Sequence, residues 1–116
     1  MSSSEINIET FFESDMRVGT ILSASPLPNA KVPAWVLEID FGPLGIIKSS
    51  ARITKLYSAE ALIGQQVIAV VNLPVRQIGS VRSECLVLGL PASEETNTNV
   101  VLLQPERPTA NGTRVS

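Results

Sequence analysis

The sequence contains no histidine among its 116 residues and only one cysteine, Cys85. Without histidine, neither a histidine-ligated zinc site nor a Ser-His or Cys-His nucleophile can be built. One cysteine cannot form an intrachain disulfide, and Cys85 stands in an apolar run, which predicts a core position. A glycine-rich phosphate-binding loop is also missing. We therefore expect a protein that is not an enzyme and that holds no cofactor or metal.

Long hydrophobic runs are missing as well. No apolar stretch approaches the roughly 20 residues of a membrane-spanning helix, and Met1–Glu5 lacks the basic and then apolar pattern of a signal peptide. These features predict a cytoplasmic protein without membrane insertion. Aromatic residues make up only 4% of the chain, so the core must consist of Val, Ile, Leu and Ala. Trp35 is expected in that core, and Tyr57 is the better candidate for stacking on a base.

The net charge of −2 does not favour a nucleic-acid binder, but the charges are unevenly distributed. Residues 1–16 carry four acids and no base, whereas residues 41–83 carry five bases and one acid, Glu60. Folding can gather this basic excess on one face. The alternative is a set of ordinary solvated charges and ion pairs. The five bases are Lys48, Arg52, Lys55, Arg76 and Arg82.

Alternating polarity predicts strands in the first half of the chain. In Ala34–Phe41 every second residue is apolar and large, and the turn residues Gly42–Gly45 then lead into Ile46–Arg52. The acids of the first of these strands, Glu38 and Asp40, share one face, which a solvated strand face explains without chemistry. The remaining predicted elements are a short helix at Ile8–Glu13, a strand at Met16–Ala24 with a bulge or bend at Gly19, a helix capped by Ser58 and ended by Gly64, and strands at Gln66–Leu73, Glu84–Leu90 and Val100–Gln104.

This order of elements predicts the fold class. Three strands, a short helix and further strands are the layout of an all-β OB-fold, a five-stranded Greek-key barrel, here with an additional short N-terminal helix. We expect one domain over residues 1–116 with its core at about 12–105. An OB-fold binds its ligand on the face of strands 2 and 3, where the polar and basic face of Ile46–Arg52 lies. Two strands that are apolar on both faces suggest surplus apolar surface, which predicts a symmetric dimer.

An opening strand and six short motifs that follow it in order resemble the tRNA-binding OB domain family, and the similarity as a whole runs over about residues 12–113. That family includes domains appended to some methionyl-tRNA synthetases and the free-standing, export-related chaperones of the CsaA type. The CsaA type is the closer likeness, because Cys85-Leu86 and Leu27-Pro28 replace the Gly-Met and His-Pro that are typical of the synthetase domains. The motifs follow Asp15–Ile21, the opening strand, and are Ala30–Ala34, Ile39–Gly42, Lys48–Thr54, Val67–Pro74, Ser83–Gly89 and Val100–Pro105.

The resemblance implies a homodimeric chaperone that binds unfolded or export-bound polypeptide and tRNA without catalysis, and it leaves open whether an export motor is a partner. The alternative is a tRNA-binding module in translation with no chaperone role. Apolar rims for polypeptide are expected at Pro26–Pro33 and Leu73–Val75, although core and dimer contacts also explain them. The residues expected to contact RNA or peptide are Arg17, Lys31, Lys48, Ser50, Arg52, Lys55, Arg76 and Arg82, with Asn72 and Ser83 added by the resemblance.

Overall fold

The strand that begins at Trp35 follows the alternation in the sequence. In the computed structural model, which describes residues 4–91 and 100–116, the side chains of Leu37, Ile39 and Phe41 are completely buried, while Glu38 between them is exposed. Trp35, at the start of the same face, is half-buried and packs against this core. The period-two prediction for this strand is confirmed.

The regular elements of the described residues are nine strands, two short α-helices and one 3-10 helix at Gly42–Leu44. The α-helices are α1 (Ile8–Phe11) and α2 (Ala59–Leu62). The strands are β1 (Met16–Pro26), β2 (Trp35–Asp40), β3 (Ile46–Ala51), β4 (Gln66–Val70), β5 (Arg76–Ile78), β6 (Val81–Ser83), β7 (Leu86–Val87), β8 (Gly89–Pro91) and β9 (Val100–Leu102).

Five of the strands form one antiparallel sheet in the order β3-β2-β1-β4-β7. The sheet curves until its two edges meet. The contact between the edges is a hydrogen bond from the Glu84 amide, just before β7, to the Lys48 carbonyl of β3 at 2.8 Å. The result is a nearly closed five-stranded barrel around the core. The predicted all-β barrel of the OB type is therefore confirmed. The smaller hairpins β5–β6 and β8–β9 form two further sheets.

Both predicted helices are present, and both begin at a capping side chain. Asn7 Oδ1 accepts from the Thr10 amide at 2.8 Å, and Ser58 Oγ accepts from the Ala61 amide at 3.2 Å. Gly64 follows α2 with φ of 88°, a conformation that favours glycine and ends the helix. Within residues 4–91 and 100–116, no helix combines the length and the apolar content that crossing a membrane requires.

Three features of the strands differ from the prediction. The register shift in β1 lies between Ile21 and Ser23, not at Gly19. Gly19 is instead covered by β2 side chains, since a Cβ there would lie 2.6 Å from Ile39 Cγ2. The predicted strand Glu84–Leu90 is divided into β7 and β8, which belong to different sheets, and the β5–β6 hairpin was not predicted. The polar loop predicted at Ser93–Asn99 lies outside the described residues.

The C-terminal segment, predicted to be irregular, has few regular elements but is firmly bonded to β1. The Val18 amide donates to the Thr113 carbonyl at 3.0 Å, and the Gly112 amide donates to the Val18 carbonyl at 2.8 Å. Farther along, the Val115 amide donates to Met16 at 2.9 Å. These bonds satisfy backbone groups of β1 and bring the two ends of the chain together.

Candidate functional site

Two of the predicted cations, Arg52 and Arg76, line one groove with a volume of about 470 Å³. Arg52 follows β3, and Arg76 begins β5. The floor of this basic groove is apolar, because β5, β7, β9 and the residues just after β3 and β7 contribute aliphatic side chains to it. Those floor residues are Ile53, Ile78, Leu86, Val87, Leu88 and Leu102.

A second depression, of about 370 Å³, adjoins the basic groove. The two share Ser50, Arg52 and Ile78, so they form one continuous surface. The second depression is walled by the loop of residues 27–32, which contributes Lys31. Lys31, Arg52 and Arg76 therefore lie along one trough, as the uneven charge distribution of the sequence suggested.

Lys48 and Arg82 come together in a third depression, of about 510 Å³, which also contains Glu84. Lys48, Ser50 and Arg52 point to the outer face of β3, while Ser49 and Ala51 between them are buried. At about 3.3 Å per residue, Lys48 and Arg52 stand roughly 13 Å apart along the strand. The basic face predicted for β3 is thus present. Lys55 is exposed in the turn after β3 and lines none of these three depressions.

The cations that line the three depressions are exposed, and none of them forms an ion pair within 4 Å of a described carboxylate, although Glu84 shares the depression of Lys48 and Arg82. The ion pairs of the described residues lie elsewhere and join Asp15 to Arg17 and Arg114, and Glu106 to Arg107. Exposed, unpaired guanidinium and ammonium groups around a groove can bind phosphate oxygens, and Arg can do so through two parallel hydrogen bonds. The cations that line the three depressions are Lys31, Lys48, Arg52, Arg76 and Arg82.

Arg17 and Asn72, also predicted contacts, take part in bonds within the protein. The hydrogen bond from Arg17 to Asp15 raises the pKa of the Arg17 guanidinium, and Arg17 Nη1 also donates to the Gly112 carbonyl at 3.0 Å. Asn72 accepts from the Asp15 amide at 2.9 Å and donates to the Glu13 carbonyl at 2.7 Å. Neither lines the three depressions, so RNA contact by these two residues stays a prediction.

Ser83 is only 1% exposed, and so is Ser49, which the sequence analysis did not single out. Ser83 Oγ accepts from the Ser50 amide at 3.1 Å, while Ser49 Oγ donates to the Cys85 carbonyl at 3.0 Å. Both hydroxyls lie between β3 and the segment of residues 83–85. The floor residue Ile78 was missed too, because a lone apolar residue in a three-residue strand gives no periodic signal.

Cys85 is buried beside these serines, as predicted. Burial raises the pKa of its thiol to about 11, so the reactive thiolate is scarce near neutral pH. This environment supports a core role and not a nucleophile.

The aromatic side chains are engaged in other contacts and do not line the basic groove. The Trp35 indole donates to the Tyr57 carbonyl at 2.9 Å, and the Tyr57 hydroxyl accepts from the Leu102 amide at 3.2 Å. Phe41 is in the core, and Phe11 contacts Phe12 edge-to-face at the N-terminal helix. These five are all the aromatic residues of the sequence, and none lines the groove. Stacking on bases is therefore unavailable there.

Two solved structures are similar to this barrel over nearly its whole length. The chaperone CsaA of Bacillus anthracis str. Ames is 49% identical with a TM-score of 0.88, and that of Picrophilus torridus is 39% identical with a TM-score of 0.85. Each similarity covers 97% of this chain and 100% of the other.

Curated relatives include methionine–tRNA ligases, among them that of Methanococcoides burtonii, which is 33% identical over 108 residues. That match covers 93% of this chain but 15% of the ligase, so the chain corresponds to a small part of such relatives. The family model "Putative tRNA binding domain" matches residues 16–114. The chain belongs to the tRNA-binding domain family.

Proposed function

We propose that the protein binds tRNA and unfolded polypeptide, without catalysis, as a homodimeric chaperone of the CsaA type. The observation that carries this proposal is the trough along which Lys31, Arg52 and Arg76 stand without close counter-ions, above an apolar floor. Cations at the rim suit phosphates, and an apolar floor suits the side chains of an unfolded chain.

The RNA part of the proposal depends on phosphate contacts. Because no aromatic side chain lines the groove, single-stranded bases have nothing to stack on, and stacking is worth roughly 1–3 kcal/mol per base where it occurs. Binding then comes from cations matched to a folded backbone. Lys48 and Arg82 offer further cations in a separate depression, which shares no residue with the groove. The expected affinity is modest and falls steeply with salt.

The polypeptide part depends on apolar surface. The floor of the basic groove offers aliphatic side chains beside two arginines, and two of the similar structures carry the name of chaperone. Further exposed apolar side chains, including Ile8, Phe11 and Leu73, are available for a dimer contact. Capture of export-bound chains in the cytoplasm is proposed from the same resemblance, which leaves open whether an export motor is a further partner.

The second candidate is a tRNA-binding module that acts in translation with no chaperone role. The methionine–tRNA ligase relatives favour it, since a domain like this one lies within those proteins. A binding measurement with unfolded polypeptide distinguishes the two candidate functions, because a tRNA-binding module would bind tRNA but no polypeptide.

Charge reversal tests the proposed function. The double variant Arg52→Glu with Arg76→Glu is expected to abolish retention of bulk tRNA at about 20 mM salt, where phosphate contacts are strongest. Arg107→Glu is the control for a single charge reversal, to be compared with Arg52→Glu and Arg76→Glu separately, because Arg107 lines a depression that shares no residue with the basic groove. No binding of tRNA by the unaltered protein under these conditions would refute the RNA proposal.

The remaining parts have their own measurements. Suppression of aggregation of an unfolded client protein tests the chaperone role, and its loss in the same double variant indicates a shared groove. Light scattering at micromolar concentration tests the homodimer, which a monomeric mass contradicts.

A further inference from the structure

Side-chain hydroxyls complete the junction at which the barrel closes. One edge of β3 pairs with β2, and the other edge faces residues 83–85. Among the described residues, one backbone hydrogen bond crosses this junction, from the Glu84 amide to the Lys48 carbonyl at 2.8 Å. The next amide of β3 that points to this side, that of Ser50, donates to the buried Oγ of Ser83 at 3.1 Å.

This junction connects two cationic elements. Ser50 lies between Lys48 and Arg52 on the outer face of β3. Ser83 ends β6 and is paired in register with Arg76, and Arg82 precedes it. The hydroxyl of Ser83 thus joins the strand that carries two cations to the hairpin that carries the other two. A two-stranded hairpin of this size is marginally stable alone, so its position depends on such anchors.

We propose that Ser83 is a positioning residue of the RNA site: its buried hydroxyl, by accepting the Ser50 amide, fixes Arg76 and Arg82 at their spacing from Lys48 and Arg52. The inference rests on the proposed tRNA binding. It assigns Ser83 no contact with RNA, because only 1% of the residue is exposed. Cations held at a fixed spacing bind phosphates of a folded RNA together, whereas cations on a displaced hairpin bind them independently.

A double-mutant cycle with bulk tRNA at about 50 mM salt tests the coupling. Ser83→Ala alone is expected to weaken binding about three- to ten-fold, and Arg76→Ala is expected to cost several-fold in the unaltered protein but less than about two-fold in the Ser83→Ala background. Equal costs of Arg76→Ala in the two backgrounds would overturn the inference while leaving tRNA binding itself intact. Absence of binding by the unaltered protein would instead refute the proposed function.

A matched control separates positioning from stability. Ser58→Ala also removes a serine hydroxyl that accepts a backbone amide, at the start of α2, and is expected to lower stability with little effect on tRNA binding. If Ser58→Ala reduces the cost of Arg76→Ala as much as Ser83→Ala does, the coupling reflects stability and the inference is wrong.

Hydrogen exchange provides a second measurement, which also serves if Ser83→Ala folds poorly. Ser83→Cys keeps nearly the same volume but offers a weaker acceptor, and it is expected to speed exchange of the Ser50 amide with little change at the Val67 amide of β4. Unchanged exchange at Ser50 would contradict the anchoring role.

Discussion

Asp15 Oδ1 accepts a hydrogen bond from Arg17 Nε at 2.6 Å, with 23% and 25% of the two side chains exposed. The same oxygen lies 3.4 Å from Nε of Arg114 in the C-terminal segment. Arg17 and Arg52 both lie in segments that the sequence predicts as strands. Arg17 is held by the Asp15 carboxylate, whereas Arg52 lines an open groove. A carboxylate two residues away and the long-range bond to the Gly112 carbonyl together make Arg17 a structural arginine, whereas Arg52 is a candidate for ligand binding.

Asp15 is expected to contribute to stability at neutral pH and to lose that contribution in acid. The hydrogen bond from Arg17 holds the pKa of the Asp15 carboxyl below its ordinary value. The unfolded chain, with an Asp pKa of about 3.9, then binds the proton more readily than the folded chain. The stabilisation is present above about pH 4 and is lost as the pH falls through the lower pKa of the folded state.

Asp15→Asn is therefore expected to lower the melting temperature at pH 7 by a few degrees, roughly 4 °C, and the difference from the unaltered protein should shrink below about pH 4. Thermal denaturation followed by circular dichroism between pH 2 and pH 7 measures it. Glu5→Gln, at an exposed residue near the N-terminus, is the control and should change neither the melting temperature at pH 7 nor its dependence on pH. A difference between Asp15→Asn and the unaltered protein that stays constant with pH would contradict the role assigned to the ion pair.

Gly19→Ala is expected to destabilise the barrel by about 2 kcal/mol, because a methyl group would overlap a packed core. A Cβ at this position lies 2.6 Å from Ile39 Cγ2 and 2.7 Å from Phe41 Cε1, and both of these side chains are completely buried. Gly79→Ala is the comparison: nothing lies within 4 Å of its Cβ, although φ of 60° adds some strain. Urea denaturation measures the free energy of unfolding of both variants. An equal or larger loss of stability in Gly79→Ala would contradict the packing argument.

The sequence predicted those features of the fold that local patterns determine. The alternation of Ala34–Phe41 identified the buried face of β2, and the side-chain cap at Ser58 identified the start of α2. The β5–β6 hairpin was missed, since three-residue strands are too short for a periodic pattern. Gly19 was assigned to a bulge because a glycine in a strand signals either a bulge or a close approach. Only the position of β2 decides between these.

The candidate site was predictable in part for the same reason. The excess of bases in residues 41–83 pointed to the cations that now surround the basic groove and the depressions beside it. Burial of Ser83 was not predictable, because a serine flanked by charged residues reads as exposed until its partner strand is known. Its hydroxyl replaces a ladder bond at the barrel junction, and that role depends on β3, 33 residues away in the sequence.

Cys85 is expected to be unreactive in the folded protein at pH 8 and to destabilise it in strong base. Burial raises the pKa of its thiol to about 11, whereas an unfolded cysteine titrates near 8.5. The folded state therefore keeps its full stability below about pH 8.5 and loses part of it as the pH rises towards 11. Because the chain has one cysteine, a thiol reagent such as Ellman's reagent directly measures the fraction of Cys85 that is accessible.

The expected result is one thiol modified per chain in denaturant and almost none without it. Cys85→Ala is the control, and its stability should depend less on pH between about 8.5 and 11. Rapid and complete labelling of the folded protein at pH 8 would show that the thiol is accessible, contrary to its position in the core.

The apolar floor of the basic groove and its cationic rim are expected to be separable by substitution. Ile78 is half-buried in β5 and lines both the groove and the depression beside it. Ile78→Ser removes apolar surface without changing charge, so it should weaken binding of a permanently unfolded polypeptide, such as reduced and carboxymethylated α-lactalbumin, by about three- to ten-fold. The dependence of tRNA affinity on salt should be unchanged, because that slope counts phosphate contacts.

Arg52→Ala is the reciprocal variant and should lower the slope of log affinity against log salt by about 1. Val101→Ser is the matched control, since Val101 is 42% exposed and lies outside the groove. Equal losses of polypeptide binding in Ile78→Ser and Val101→Ser would show that general surface hydrophobicity, and not this groove, captures the chain. A lowered salt slope in Ile78→Ser would show instead that floor and rim act as one unit, so that RNA and polypeptide compete for the same residues.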